Sequence, residues 1–136
     1  MHKGFLKTSF ILAAVSVALG AFAAHGLKKY VGVVELGTFE TGVRYQFYHV
    51  FALLVTAIVY KELPHRSTKI AGRLFIVGII LFSGSLYLLT LMQAMGRGNY
   101  NWIGAITPFG GLCFISAWLL LFRTAAKKRA SPGVPE

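Results

Sequence analysis

The chain has 136 residues, 56% of them hydrophobic and 13% charged, and its 14 Lys and Arg against 4 Asp and Glu give a formal net charge of +10. Soluble domains carry roughly 25% charged residues, so this is not the composition of a soluble globule, and the length allows one domain at most. Nucleic acid is not an expected partner despite the charge, because the basic residues lie between long apolar runs rather than on one solvated face. The single cysteine, Cys113, excludes an intrachain disulfide and a cysteine metal site.

Crossing about 30 Å of hydrocarbon takes about 20 apolar residues at 1.5 Å rise, and four stretches approach that length, with helices expected at about 8–24, 38–60, 71–92 and 102–122. The first, Thr8 to Ala24, has no charged residue. Ser16, Gly20 and Ala24 recur along it at i+4 and offer a smooth stripe to a neighbouring helix. A cleaved signal peptide is the rival reading, with Lys3 and Lys7 as the basic segment, Phe10 to Leu19 as the apolar core and Ala21-Phe22-Ala23 as the cleavage pattern.

The second helix is expected to start outside the hydrocarbon, since Thr38 can cap it while its apolar part begins near Val43. Glu40 and Arg44 then stand at i and i+4 with the acid first, the better orientation for a pair. Tyr48 continues that face, and Tyr45 and His49 form a second such pair beside it. Along the third helix, Gly78, Ser85 and Met92 fall at seven-residue spacing, with a small polar patch at Ser83-Gly84-Ser85. The fourth opens with Gly104, Ala105, Thr107, Pro108, Gly110 and Gly111, and Pro108 predicts a kink near its start. Residues 125–136 read as a basic flexible tail with Pro132 and Pro135.

Basic residues are retained on the cytoplasmic side of a membrane. Lys3, Lys7, Lys61, Arg66, Lys69, Arg73, Arg123, Lys127, Lys128 and Arg129 fall on one side, against Lys28, Lys29, Arg44 and Arg97 on the other, so both termini are expected inside. Tyr30, Tyr45, Tyr100 and Trp102 then cluster at the outer boundary, and Tyr60 and Trp118 lie near the inner one. Short connections predict an all-α integral membrane fold, an antiparallel four-helix bundle, with anionic lipids as partners at the cytoplasmic face.

The stretch Glu35 to His49 is not explained by spanning alone. One reading is a network that clamps the first loop and fixes helix register. The other is a small polar pocket opening outward, lined by His25, Glu40, Arg44, Tyr45, Tyr48 and His49, with Thr107 a possible contributor. Such a pocket suits a solute vestibule, a proton relay, a metal, or haem held by His25 and His49. No ionisable residue continues inward from it, and two histidines with one Glu lack a tight metal motif, so no metal or other cofactor is predicted and haem is a minor alternative. No P-loop, nucleophile elbow or dinucleotide fingerprint is present. His2 and His65 fall in the terminal segment and the inner loop, where a solvated histidine is the default.

The runs GAFAAHGLKK, TFETGVRYQFYHVFALL, AGRLFIVGIILFSGSLYLL and IGAITPFGGLCFISAWLLL, in that order, resemble the domain-of-unknown-function 423 family. These are small inner-membrane proteins of the YgdD and YwdK type, with a eukaryotic relative called transmembrane protein two-five-six. The resemblance implies four helices in the plasma membrane with the first retained, and it carries over no catalytic role. Its motifs fall on His25, Gly26, Phe39, Glu40, Arg44, Tyr45, Gln46, Tyr48, His49, Ser83, Gly84, Ser85, Thr107, Pro108, Gly110 and Gly111. Gly42 departs from the pattern, where relatives often have Ala, and is expected to loosen the second helix by up to about 1 kcal/mol.

The expected role is therefore non-enzymatic, structural or accessory, exerted through packing with itself as a homo-oligomer or with a larger membrane complex. The alternatives are a small-solute or ion transporter using the outer polar pocket, and a haem- or metal-binding protein using His25 and His49.

Overall fold

The computed structural model describes residues 1–96 and 100–129. Helix α1 (Lys3–His25) begins well before Thr8, and the reason lies in His2. Its Nδ1 accepts a hydrogen bond from the Phe5 backbone N–H at 3.2 Å, satisfying one of the donors that every helix start leaves open. Its own N–H donates to the Ala57 carbonyl at 2.8 Å, and its ring stacks on Phe5 with centroids 4.0 Å apart. His2 is thus a half-buried cap rather than a solvated side chain. Lys3 and Lys7 lie on the exposed side of the first turns, where long stems let an ammonium reach water.

Helix α2 (Val33–Val59) also starts earlier than expected, with Gly32 extended before it and Glu35 in its first turn, where an acid complements the helix dipole. Thr38 is an interior residue whose hydroxyl donates to the Val34 carbonyl at 3.0 Å. The third span has three parts: α3 (Arg66–Gly78), a π-helical segment (Ile79–Ser83) and α4 (Gly84–Ala94). A short α5 (Asn101–Gly104) precedes α6 (Thr107–Arg129). Pro108 is the second residue of α6, where a missing N–H breaks no helical bond, so the chain turns at Ala105 and Ile106 instead of kinking. The expected tail at 125–136 begins as helix, since α6 runs on to Arg129, and the remaining residues lie outside those described.

Among the described residues, four helical stretches are long and apolar enough to cross a membrane: Lys3–Lys29, Val33–Val59, Arg66–Ala94 and Trp102–Lys127. Helix α1 packs mainly on α2, and α6 mainly on α3, while α2 also meets α3, the π segment and α4. The second and third spans are therefore central and the outer two peripheral. Early residues of α1 meet late residues of α2, as in the His2–Ala57 bond, and Phe22 meets Phe39 with ring centroids 6.0 Å apart. One core gathers Phe5, Val50, Leu53, Phe75, Ile79 and Phe114, and a second gathers Ala23, Leu27, Phe39 and Val43.

In lipid, close approach at small residues replaces the hydrophobic effect as the reason for helices to associate. On α1 the buried small residues are Ser9, Ser16 and Ala23, at seven-residue spacing. Gly20 sits against Val43, while Ala24 is exposed. An i+4 stripe rotates by about 40° at each step and leaves a single partner, whereas a seven-residue seam stays on it. Gly78 lies under the Phe114 ring, which an added Cβ would meet at 2.5 Å. A Cβ at Gly110 would collide with the Phe82 backbone nitrogen, and one at Gly111 would make ordinary contact with Phe82. Ser85 is buried and Met92 half-buried. Gly84 and Gly104 have no such neighbour, and Pro108 is exposed. Gly72 was not anticipated: it admits the Phe5 ring, joining α1 to α3.

Candidate functional site

Helix α2 carries the polar stretch, and α4 supplies its partners. The Gln46 amide, 3% exposed, donates through Nε2 to the Leu12 carbonyl of α1 at 3.2 Å. Its Oε1 accepts from the Tyr87 hydroxyl of α4 at 2.9 Å. One side chain on the central helix therefore ties three helices through both ends of its amide. Tyr87 reaches it because Gly42, one turn earlier on α2, has no Cβ, which would stand 2.7 Å from Tyr87 Cε1. Gly42 thus makes room for an interhelical contact as well as weakening its own helix. The Tyr87 ring also packs on Phe39 with centroids 4.7 Å apart.

His49 faces inward one turn below Gln46. The Tyr45 carbonyl can only accept, so the 2.8 Å contact places the proton on Nδ1. The ring lies flat on Phe114 of α6, with centroids 3.4 Å apart and 4° between planes. Tyr45 is at the bundle surface, its ring stacked on Phe82 at 4.6 Å. Tyr48, Glu40 and Arg44 are exposed, and among the described residues no ion pair joins Glu40 to Arg44.

Thr107 belongs to a different cluster, at the junction of the π segment with α6. The Ser85 hydroxyl donates to the Phe82 carbonyl at 2.9 Å, and Ser85 Oγ and Thr107 Oγ1 are 2.7 Å apart, so Thr107 is the donor of that pair. Ser83, fully buried, has a hydroxyl with no partner within hydrogen-bond geometry among the described residues. Thr90 donates to Leu86 and, at 3.3 Å, to the Glu35 carbonyl of α2.

His25 stands apart from all of these, exposed at the end of α1. The Gln46–Leu12 bond sets the register of α1 against α2, and His25 lies thirteen residues beyond Leu12, about 20 Å along the axis. His49 continues in the other direction, so the two histidines do not converge and no iron could be held between them. The outward pocket expected from His25, Glu40, Arg44, Tyr45, Tyr48, His49 and Thr107 is not one cavity. A 290 Å³ pocket does exist at the end of the bundle where α2 starts and α4 ends, lined by Tyr30, Val31, Gly32, Glu35, Gln93 and Ala94. Glu35 opened the polar stretch read from the sequence, but was expected before the second helix and outside the pocket. Gln93 lies beyond the π segment, whose wider turn sets the face of α4 that it occupies.

Four apolar helices joined by an internally bonded polar core define a multi-pass membrane protein. The family model described as "Protein of unknown function (DUF423)" matches residues 19–111, more than half of the chain, and the chain belongs to that family. It is similar to the UPF0382 membrane protein YwdK of Bacillus subtilis, 40% identical over 126 residues, covering 92% of this chain and 98% of that protein. It is 36% identical over 125 residues to the UPF0382 membrane protein SH2409 of Staphylococcus haemolyticus, covering 92% and 97%. The UPF0382 inner membrane protein YgdD of Escherichia coli K12 is 37% identical over 115 residues, covering 82% and 83%. No solved structure matches the chain.

Proposed function

We propose that the chain is an antiparallel four-span bundle of the inner (plasma) membrane, with both termini cytoplasmic, and that its role is non-enzymatic. It acts as an accessory protein through helix packing with itself or within a larger membrane assembly. The observation that carries this reading is how fully the interior polar groups bond to one another, the Ser83 hydroxyl excepted. Gln46, Tyr87, Ser85, Thr107, Thr90 and Thr56 spend their hydrogen bonds on one another and on backbone carbonyls, which leaves little to act on a substrate. The head-to-tail contacts between α1 and α2 support the antiparallel arrangement, and the excess of Lys and Arg on one side supports the orientation. A solute path has less support, because Ser83, Ser85, Thr90 and Gln93 stay in one half of the third span.

The surfaces available for assembly are the outer faces of α1, with Phe10, Ile11 and Val17, and of α6, with Leu112, Ile115 and Leu119. Crosslinking in native membranes, followed by purification in mild detergent, light scattering and a visible spectrum, tests the reading. A defined oligomer or a stoichiometric membrane-protein partner is the expected result. A monomer with no crosslinked partner overturns the accessory role, and a haem absorption band overturns its cofactor-free form.

A further inference from the structure

We propose that two copies of the chain associate in the membrane through the exposed face of α2, with Glu40 of each copy paired to Arg44 of the other. The inference rests on the accessory reading and names a second copy as the partner. Helix α2 is central in the bundle, yet one of its faces is uncovered: Phe39, Val43, Gln46 and His49 are buried, whereas Glu40, Arg44, Tyr48 and Phe51 are exposed. Lys61 and Glu62 mark where the apolar run of this span stops. Counted back from Val59, the last residue of α2, Tyr48 lies about 17 Å along the axis, Arg44 about 23 Å and Glu40 about 29 Å, all within the roughly 30 Å of hydrocarbon. Charged and polar side chains at such depths face other protein or pair with one another, because lipid tails offer them no partner. Among the described residues, Glu40, Arg44 and the Tyr48 hydroxyl have no hydrogen bond or ion pair. In a single chain the Arg44 stem can carry its guanidinium to the boundary, but the Tyr48 phenol, one turn deeper and 57% exposed, has no such route.

Charge and symmetry select a second copy. In a dimer whose two-fold axis runs along the membrane normal, a given residue has the same depth in both copies, and every contact is made twice. Glu40 precedes Arg44 by one turn, about 6 Å, and helix side chains lean toward the N-terminus, so each guanidinium is directed to the depth of the other copy's carboxylate. The face is therefore self-complementary: acid meets base at two symmetric places, and the two Tyr48 hydroxyls meet each other. Gly37 and Thr41 lie on the same face, and a Cβ at Gly37 would meet nothing within 4 Å, so the two backbones have room to approach there. A different membrane protein would need an acid and a base of its own at matching depths, whereas this chain already carries both. The outer faces of α1 and α6 are apolar and carry no such pattern, so the α2 face is the one whose partner is selected by charge.

The test uses two differently tagged full chains, both Cys113→Ser with Thr41→Cys as the reporter, co-expressed and oxidised in native membranes. A disulfide between the two tags is the expected result. Placing Glu40→Arg in both chains, or Arg44→Glu in both, sets like charges opposite one another and is expected to slow crosslinking about tenfold. One chain with Glu40→Arg beside the other with Arg44→Glu is expected to restore it, because each acid again meets a base across the interface, whereas neither chain then holds an acid and a base to pair within itself. Failure of that restoration overturns the proposal, as does crosslinking that the reversals leave unchanged. If a reversed chain does not insert, Glu40→Gln and Arg44→Gln, which remove one charge each, are expected to slow crosslinking about threefold, and an unaltered rate overturns the proposal. Reporters at Ile11→Cys on α1 and Leu119→Cys on α6 separate this inference from the reading beneath it. Copies joined there and not at Thr41→Cys, or a crosslink to another membrane protein alone, overturn the α2 interface and leave the accessory role standing. Absence of every crosslink, to a second copy or to another protein, overturns both.

Discussion

At the scale of single residues, the energetics of this protein turn on polar groups held in a solvent that offers them nothing. Gln46 illustrates the constraint: a buried amide in hydrocarbon has to find both a donor and an acceptor within the bundle, and it finds them on two different helices. Interhelical bonds of this kind contribute about 0.6 kcal/mol on average and up to about 1.7 kcal/mol. Tyr87→Phe should therefore lower stability by about that amount, and Gln46→Leu by more, since it removes both contacts. The double variant should cost less than the sum, by about the 0.6 kcal/mol of the shared bond. Denaturation of the four proteins in mixed micelles measures this, and strictly additive values would show that the two side chains are not coupled. Arg44 is the contrasting case. Interfacial guanidinium groups reach water along their own stems, and this one has no ion pair with Glu40 among the described residues. Arg44→Ala is accordingly expected to change stability by no more than about 0.5 kcal/mol, the usual range for surface positions. A drop of several degrees in the melting midpoint would reveal a partner for it.

At the scale of elements, the third span is the least regular of the four and the one on which the others depend. An α-helix advances 100° per residue, so the wider turn at Ile79–Ser83 re-aims everything after it. It is the re-aimed α4 that presents Tyr87 to Gln46, Ser85 to Thr107 and Thr90 to the Glu35 carbonyl. Deleting Ile80, which is exposed, should restore regular α-helix and keep these side chains on their partners, because an i→i+5 turn advances about as far in five residues as an α-helix does in four. In a Cys113→Ser background, the pair Ser85→Cys/Thr107→Cys is therefore expected to form a disulfide with or without Ile80. Loss of the crosslink on deletion would mean that the π segment does not absorb one extra residue. Nothing in the sequence announced this segment, because a π turn needs no special residue and is decided by tertiary fit. The four helices themselves were legible, since the length and apolarity of a span are properties of one stretch of chain. Their ends were less so: α1 starts at Lys3 through a capping contact from His2 that also requires Ala57, fifty-five residues away. The choice between the stripe Ser16, Gly20, Ala24 and the seam Ser9, Ser16, Ala23 depended likewise on where α2 lies. For the same reason the polar residues were recognised while their grouping was not. Gln46, flanked by Tyr45 and Phe47, gives no periodic sign that it rather than Arg44 faces inward.

At the scale of the whole molecule, the two central spans are held by polar bonds and the two peripheral ones offer apolar faces, while charge sits at the ends. The charge asymmetry was the most legible property of all, because orientation is read from Lys and Arg near span ends and needs no knowledge of packing. It yields a prediction independent of every contact described above. With Cys113 replaced by Ser, single cysteines are placed at Tyr30, 75% exposed between the first two spans, and at Pro64, exposed between the second and third. A membrane-impermeant maleimide applied to intact cells should label Tyr30→Cys and leave Pro64→Cys unreacted until the membrane is opened. The reverse pattern would invert the protein and set the local charge rule aside, and labelling at both positions in intact cells would signal dual insertion. Neither substitution adds or removes a basic residue, so the label reports the orientation that the natural charges impose.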